Sequence, residues 1–244
     1  NAIINNTIIN FTNTGISVTA TGNGGNWNIS NNQFYYNSQQ TQTATVAQTA
    51  ISFIAESNGN RITNNTIGGS AINATGTAWT NSGSNLFAGI IVAFDTLVPS
   101  VVSGNVIKNI TKTATGAASF TGIRATQGRF VISNNIIGDL ITPNSISNSG
   151  SSTTFGIEVT NASGTVDTAF IQNNTVANIT TTGTGTGARL RGIAVNFSEN
   201  ASVLHYITGN TVTNLNCASA TLVLGVDVIA VAGIVSFNQS YRPG

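Results

Sequence analysis

Charge is the scarcest property of this chain. Eight Lys and Arg and seven Asp and Glu make up 6% of its 244 residues, against roughly 25% in ordinary globular domains. With a net charge of +1 and no basic cluster there is no electrostatic footprint for a polyanion, so no nucleic-acid partner is expected. The single cysteine, Cys217, excludes an internal disulfide and reads as a small core residue. No apolar run reaches the ~18 residues of a membrane helix. The most apolar stretch, 222–235, is interrupted by Gly225, Asp227 and Gly233, so no membrane insertion by this segment is expected. Methionine is absent, no signal-peptide pattern is present, and the first residues already fall inside a repeat. A fragment or processed segment of a longer protein is therefore expected. Low charge is not disorder here: Ile and Val are plentiful and periodic, and Asn, Thr, Ser and Gly take the place of charge on the surface.

What the chain has in abundance is one short pattern, apolar-x-[Asn/Gly]-Asn-x-apolar. It occurs at Ile3–Ile8, Ile29–Phe34, Ile62–Ile67, Val102–Ile107, Ile132–Ile137, Ile171–Val176 and Ile207–Val212. The fourth position is always asparagine: Asn6, Asn32, Asn65, Asn105, Asn135, Asn174 and Asn210, at steps of 26, 33, 40, 30, 39 and 36 residues. Self-similarity at this period marks a stacked array. The third position is Asn5, Asn31, Asn64, Gly104, Asn134, Asn173 or Gly209, the two residue types that most readily take a left-handed backbone. The pattern predicts a sharp corner with a strand on each side and apolar residues pointing inward before and after it. The invariant Asn then lies inside the bend, where stacked side-chain amides form a ladder and satisfy buried turn backbone.

A second marker, Gly-Ile-x-Val or a relative, follows each corner. It is seen at Gly15–Val18, Ala50–Phe53, Gly89–Val92, Gly122–Ala125, Gly156–Val159, Gly192–Val195 and Gly233–Ser236, and reads as a strand. One corner and one such strand make one coil. Corner-to-Gly distances run from 9 to 24 residues, whereas Gly-to-corner distances run only from 13 to 18. Insertions such as 38–49, 70–88, 112–121, 142–155, 181–191 and 216–232 thus fall on one side of the coil, where solenoids often carry a binding face.

These alternating markers resemble the right-handed parallel β-helix of pectate-lyase-like proteins and of bacterial surface proteins, over nearly the whole chain. The resemblance implies an all-β, single-stranded right-handed parallel β-helix solenoid of about seven coils, with residues 1–244 as one domain and an Asn ladder at one corner. It also implies a secreted or cell-surface location, with surface glycans or other cell-surface proteins as partners.

Catalytic members of that group place carboxylates and bases on an outer strand face. Here Glu158 and Arg124 hold the same outward position of consecutive Gly-Ile strands. Ser17, Ser52, Ile91, Ala194 and Val235 continue the column, and none is the second acid that glycoside hydrolysis requires. Asp139 replaces Asn in a post-corner column with Asn10, Tyr36, Gly69, Asn109, Asn178 and Asn214. No acid cluster fits calcium, so no metal and no cofactor are expected. His205 has no Cys or acid in register and reads as structural. Arg189 and Arg191 end an insertion and are candidate contacts for an anionic sugar or phosphate. Asp95-Thr96-Leu97 and Asp167-Thr168-Ala169 look like the Asp-Ser/Thr-apolar signal for O-glycosylation of exported proteins in the Bacteroidetes group, which makes Thr96 and Thr168 candidate modification sites. Asn-x-Ser/Thr triplets such as Asn73-Ala-Thr75 and Asn161-Ala-Ser163 occur as often as composition dictates. A flat Thr array for ice binding is absent.

The leading expectation is a non-catalytic structural or adhesive β-helix segment of a large exported bacterial cell-surface protein. The alternative is a polysaccharide lyase or glycoside hydrolase using Glu158 and Arg124 beside Arg189 and Arg191.

Overall fold

The computed structural model describes residues 1–38, 46–160, 166–196, 205–218, 222–229, 233–236 and 239–241. It is a parallel β-solenoid whose only helical pieces among those residues are the short 3-10 turns Thr21–Asn23 and Ile72–Ala74. Every named strand pairs in parallel with the equivalent strand of the next turn, and the pairs build three sheets.

Sheet I holds the strands before the Asn corner: Ala2–Ile4, Asn28–Ser30, Arg61–Thr63, Ser100–Ser103, Gly128–Ser133, Val166–Gln172, His205–Thr208 and Gly233–Ser236. Sheet II begins just after the corner, with Thr7–Ile9, Gln33–Tyr35, Thr66–Ile67, Val106–Ile107 and Ile136–Gly138. It continues past a second bend with Trp79–Asn81, Ile110–Lys112 and Ile146–Asn148, while Thr175–Thr181 and Thr211–Cys217 run through both parts. Sheet III holds Thr14–Val18, Gln48–Ser57, Phe87–Phe94, Phe120–Ala125, Thr154–Thr160, Leu190–Asn196 and Val223–Ile229.

The solenoid counts about five turns rather than seven. Seven corners stack, but of the turns that carry them only those spanning 2–27, 61–99 and 100–127 lie wholly within the described residues. Two further expectations change. The segments after the corners are not surface loop throughout: Trp79–Asn81 and Ile146–Asn148, inside the insertions 70–88 and 142–155, are sheet II strands that stack in register with Ile110–Lys112, and Trp79, Ile110 and Ile146 are fully buried. The last Gly-Ile marker is also reassigned. Gly233–Ser236 pairs with His205–Thr208 in sheet I, and Val223–Ile229 takes the sheet III place against Leu190–Asn196.

The corner itself forms as the sequence predicts. Asn5, Asn31, Asn64, Asn134 and Asn173 have φ of 55–60°, and Gly104 and Gly209 have 67° and 65°. The ladder asparagines bond in six consecutive steps. Asn105 illustrates the accounting. Its Oδ1 accepts from the backbone N–H and the Nδ2 of Asn65 at 3.0 and 2.9 Å. Its Nδ2 donates to Ile62 O and to Asn135 Oδ1, both at 2.9 Å. All four capacities of the amide are filled, so a side chain with no solvent exposure leaves nothing orphaned. Around the ladder, Ile62, Val102, Ile132 and Ile171 stack in sheet I and Ile67, Ile107, Ile137 and Val176 in sheet II, each fully buried. Each such side chain contributes about 1.5–3 kcal/mol.

Glycine recurs at one position of the sheet III strands for a steric reason. A Cβ at Gly89, Gly122, Gly156 or Gly192 would lie 2.5–2.6 Å from the backbone oxygen of Gly122, Gly156, Gly192 or Gly225 in the next turn. At Gly156 it would also meet Val176 Cγ1 at 2.5 Å. Gly225 thereby identifies itself as the member of this column for which Gly233 was expected.

Two stability predictions follow from this geometry. Asn174→Ala removes the acceptor of the Asn135 N–H and Nδ2 and the donor to Asn210. It should cost about 3 kcal/mol and lower the melting temperature by roughly 6–12 °C for a chain of this size; an unchanged melting curve by circular dichroism would refute the ladder's role. Gly156→Ala should cost about 1–3 kcal/mol through overpacking, read from the same melt.

Candidate functional site

The outer face of sheet III carries two charge contacts between neighbouring turns. Arg124 and Glu158 are register partners, and Arg124 Nε lies 2.5 Å from Glu158 Oε2. Arg191 and Asp227 meet two turns on, Nη1 to Oδ2 at 2.8 Å, with the Arg191 guanidinium 5.9 Å from the centroid of the Phe155 ring. All four charged side chains are partly covered, with 16–26% of each exposed.

Register brings a second acid into the Glu158 column. Reassignment of Val223–Ile229 makes that column Arg124, Glu158, Ala194 and Asp227. Glu158 and Asp227 are thus two strands apart, about 9–10 Å by strand spacing, across the small side chain of Ala194. Asp227 carries the signature Gly225-Val226-Asp227-Val228, which fits the Gly-apolar-x-apolar marker; the competing match at Gly233 concealed it.

Of the other candidates, Arg189 is exposed and Arg191 is engaged as described. Asp139 accepts from Lys108 Nζ at 2.7 Å and from the Ile141 and Thr142 N–H groups. Its carboxyl is held below the usual range first by that lysine bond and then by the Ile141 N–H. Asp95 is likewise lowered, chiefly by the Thr96 N–H and then by Asn58 Nδ2. Thr96 and Thr168 are half-buried, and each turns its hydroxyl back onto the preceding aspartate, at 3.4 and 3.2 Å. His205 is buried, with Nδ1 accepting the Ala169 N–H at 3.3 Å. Cys217 is half-buried, its sulfur 3.8 Å from Ala188 O. Glu199 and Asn161-Ala-Ser163 lie outside the described residues. No group of three or more His, Cys, Asp or Glu that could hold a metal occurs among the described residues.

The residue that sequence reasoning missed is Lys112. It stands two positions after Ile110, and period-two alternation turns it inward with Ile110; its column in sheet II is Asn81, Lys112, Asn148, Thr181 and Cys217. Its side chain is fully buried. Nζ donates to Asn81 Oδ1 at 2.9 Å and to Gly83 O at 2.7 Å, both neutral acceptors. The niche extends to Gln48, whose Oε1 accepts from Asn81 Nδ2 and whose Nε2 donates to Phe11 O, each at 2.7 Å. Burial pushes the Lys112 ammonium down from the usual lysine value to about 8, because the charged form loses its water and gains no counter-charge from these contacts.

Comparison of the chain with protein-family models, with curated proteins and with solved structures finds no match. Function must therefore be argued from the geometry.

The Lys112 shift has a definite sign. Its folded value of about 8 lies below the unfolded value of 10.5. Between those limits the unfolded chain binds the extra proton, so stability rises with pH across the window and is flat on either side. The full effect is about 3 kcal/mol. Thermal melts from pH 7 to 11 should show this rise in the native chain, and Lys112→Met should flatten it.

Proposed function

We propose that this chain is a structural or adhesive β-solenoid segment, without catalytic activity, of a large exported bacterial cell-surface protein. One observation carries the reading: its conspicuous polar side chains are occupied in holding one turn to the next. The ladder amides from Asn32 to Asn174 are saturated, Glu158 and Asp227 are each bound by an arginine of the neighbouring turn, and Asp139 is bound by Lys108. A rod made this way is a stiff spacer, and its outer faces, rich in Ser, Thr, Asn and Gln, offer hydroxyls and amides to glycans or to other surface proteins. Arg189, Thr96 and Thr168 belong to this reading as a surface contact and as glycosylation acceptors.

A second reading, a polysaccharide lyase or glycoside hydrolase of the pectate-lyase-like group, draws on the Glu158–Asp227 column. Carboxyl groups about 6.5–9.5 Å apart suit an inverting hydrolase, and the two-strand spacing lies near the upper end of that range. Against it, each carboxylate is already bound by a guanidinium, Glu158 Oε2 by Arg124 and Asp227 Oδ2 by Arg191, so both acids are engaged in turn-to-turn contacts.

Incubating the purified chain with a panel of neutral and acidic polysaccharides separates the two. The expected result is no increase in reducing ends or unsaturated products, with any glycan affinity unaffected by Glu158→Gln. Turnover that is lost in both Glu158→Gln and Asp227→Asn would establish the enzyme instead.

A further inference from the structure

Lys112 and Asn81 are directly paired on adjacent strands of sheet II. Both side chains are excluded from water, at 0% and 1% exposure. Lys112 Nζ is 2.9 Å from Asn81 Oδ1, and the carboxamide carbon is one bond further. We propose that this pair is a site of spontaneous covalent cross-linking, in which the amine of Lys112 displaces ammonia from the side chain of Asn81 and leaves an amide joining two turns of the solenoid.

The surroundings supply what the step needs. The neutral amine is the nucleophile, and burial that lowers its pKa to about 8 leaves about a tenth of it uncharged at pH 7. Attack requires Nζ to release Oδ1 and turn its lone pair toward Cγ, while its bond to Gly83 O at 2.7 Å keeps it in place. As Cγ becomes tetrahedral, the charge developing on Oδ1 is met by the Gly83 N–H, already bonded to it at 3.1 Å. The leaving nitrogen, Nδ2, is oriented away by its bond to Gln48 Oε1 at 2.7 Å. One bond forms, Nζ–Cγ, and one breaks, Cγ–Nδ2. A proton passes from Nζ to Nδ2, ammonia departs, and no oxidant or further reactant is consumed. The strand pairing holds both partners before reaction, so the entropy of bringing them together is already met by folding. Lys112 makes no ion pair among the described residues.

The inference is independent of whether the solenoid acts as spacer, adhesin or enzyme. It is tested by holding the purified folded chain at pH 9 and following its intact mass. The expected result is a loss of about 17 Da, one ammonia per chain, with tandem fragmentation recovering a branched species that joins the peptides containing Asn81 and Lys112. Asn23-Gly24 and Asn58-Gly59 also lose ammonia if they close to succinimides. Those products are cleaved by hydroxylamine and persist in Lys112→Met, whereas the branched peptide resists hydroxylamine and vanishes in that variant. Absence of the branched peptide from the aged native chain overturns the proposal without reference to any variant.

Discussion

The fold depends on a single electrostatic fact: an asparagine side chain can be buried at a bend only if both of its ends are satisfied, and here the identical asparagine of the next turn does so. Two donors and two acceptors per amide match two neighbours and two pieces of turn backbone. The carbonyl groups freed where the strand breaks at the corner would otherwise be orphaned in a dry interior, each at a cost of about 1–3 kcal/mol. The ladder removes that cost and at the same time fixes how far apart successive turns stand. The inward Ile and Val stacks then pack at a spacing already determined by hydrogen bonding, and the glycine column lets sheet III approach the corner closely enough to close the cross-section.

A second consequence is where charge goes. Since the interior belongs to aliphatic stacks and saturated amides, and strand spacing places like residues above one another, a charged residue must either find an opposite one in the adjacent turn or be solvated. Lys108 with Asp139, Arg124 with Glu158, and Arg191 with Asp227 follow the first course. Lys112 follows neither. It is held only by neutral oxygens, and its altered acidity is the direct cost of its position.

Much of this was legible in the residues. The invariant Asn of the repeat, the Asn-or-Gly restriction before it and the alternating apolar flanks define the corner, the ladder and the inward columns, because each residue type has a narrow set of conformations or bonding capacities. What was not legible depended on pairing partners. The strands of sheet II beyond the second bend are three residues long and sit in segments of unequal length, so no fixed period announces Trp79 or Ile146 as core. Two Gly-apolar matches, at Gly225 and Gly233, compete within a few residues, and only strand pairing decides between them; Asp227 joined the Glu158 column through that decision. Lys112 escaped notice because a lysine at an inward position contradicts composition-based expectation, although its parity with Ile110 places it inside.

The interchangeability of the ladder leaves an ambiguity that the rest of the molecule has to remove. Any corner could in principle settle on any other, skipping a turn or pairing out of sequence, since one buried asparagine bonds as well as the next. Contacts such as the lysine reaching to Asn81 or the arginine over Phe155 are lost in such a slip. The sparse charges of the chain therefore act as keys that assign each turn its neighbour, in the way a lone polar residue sets alignment in a coiled coil, and the unequal turn lengths reinforce the same order.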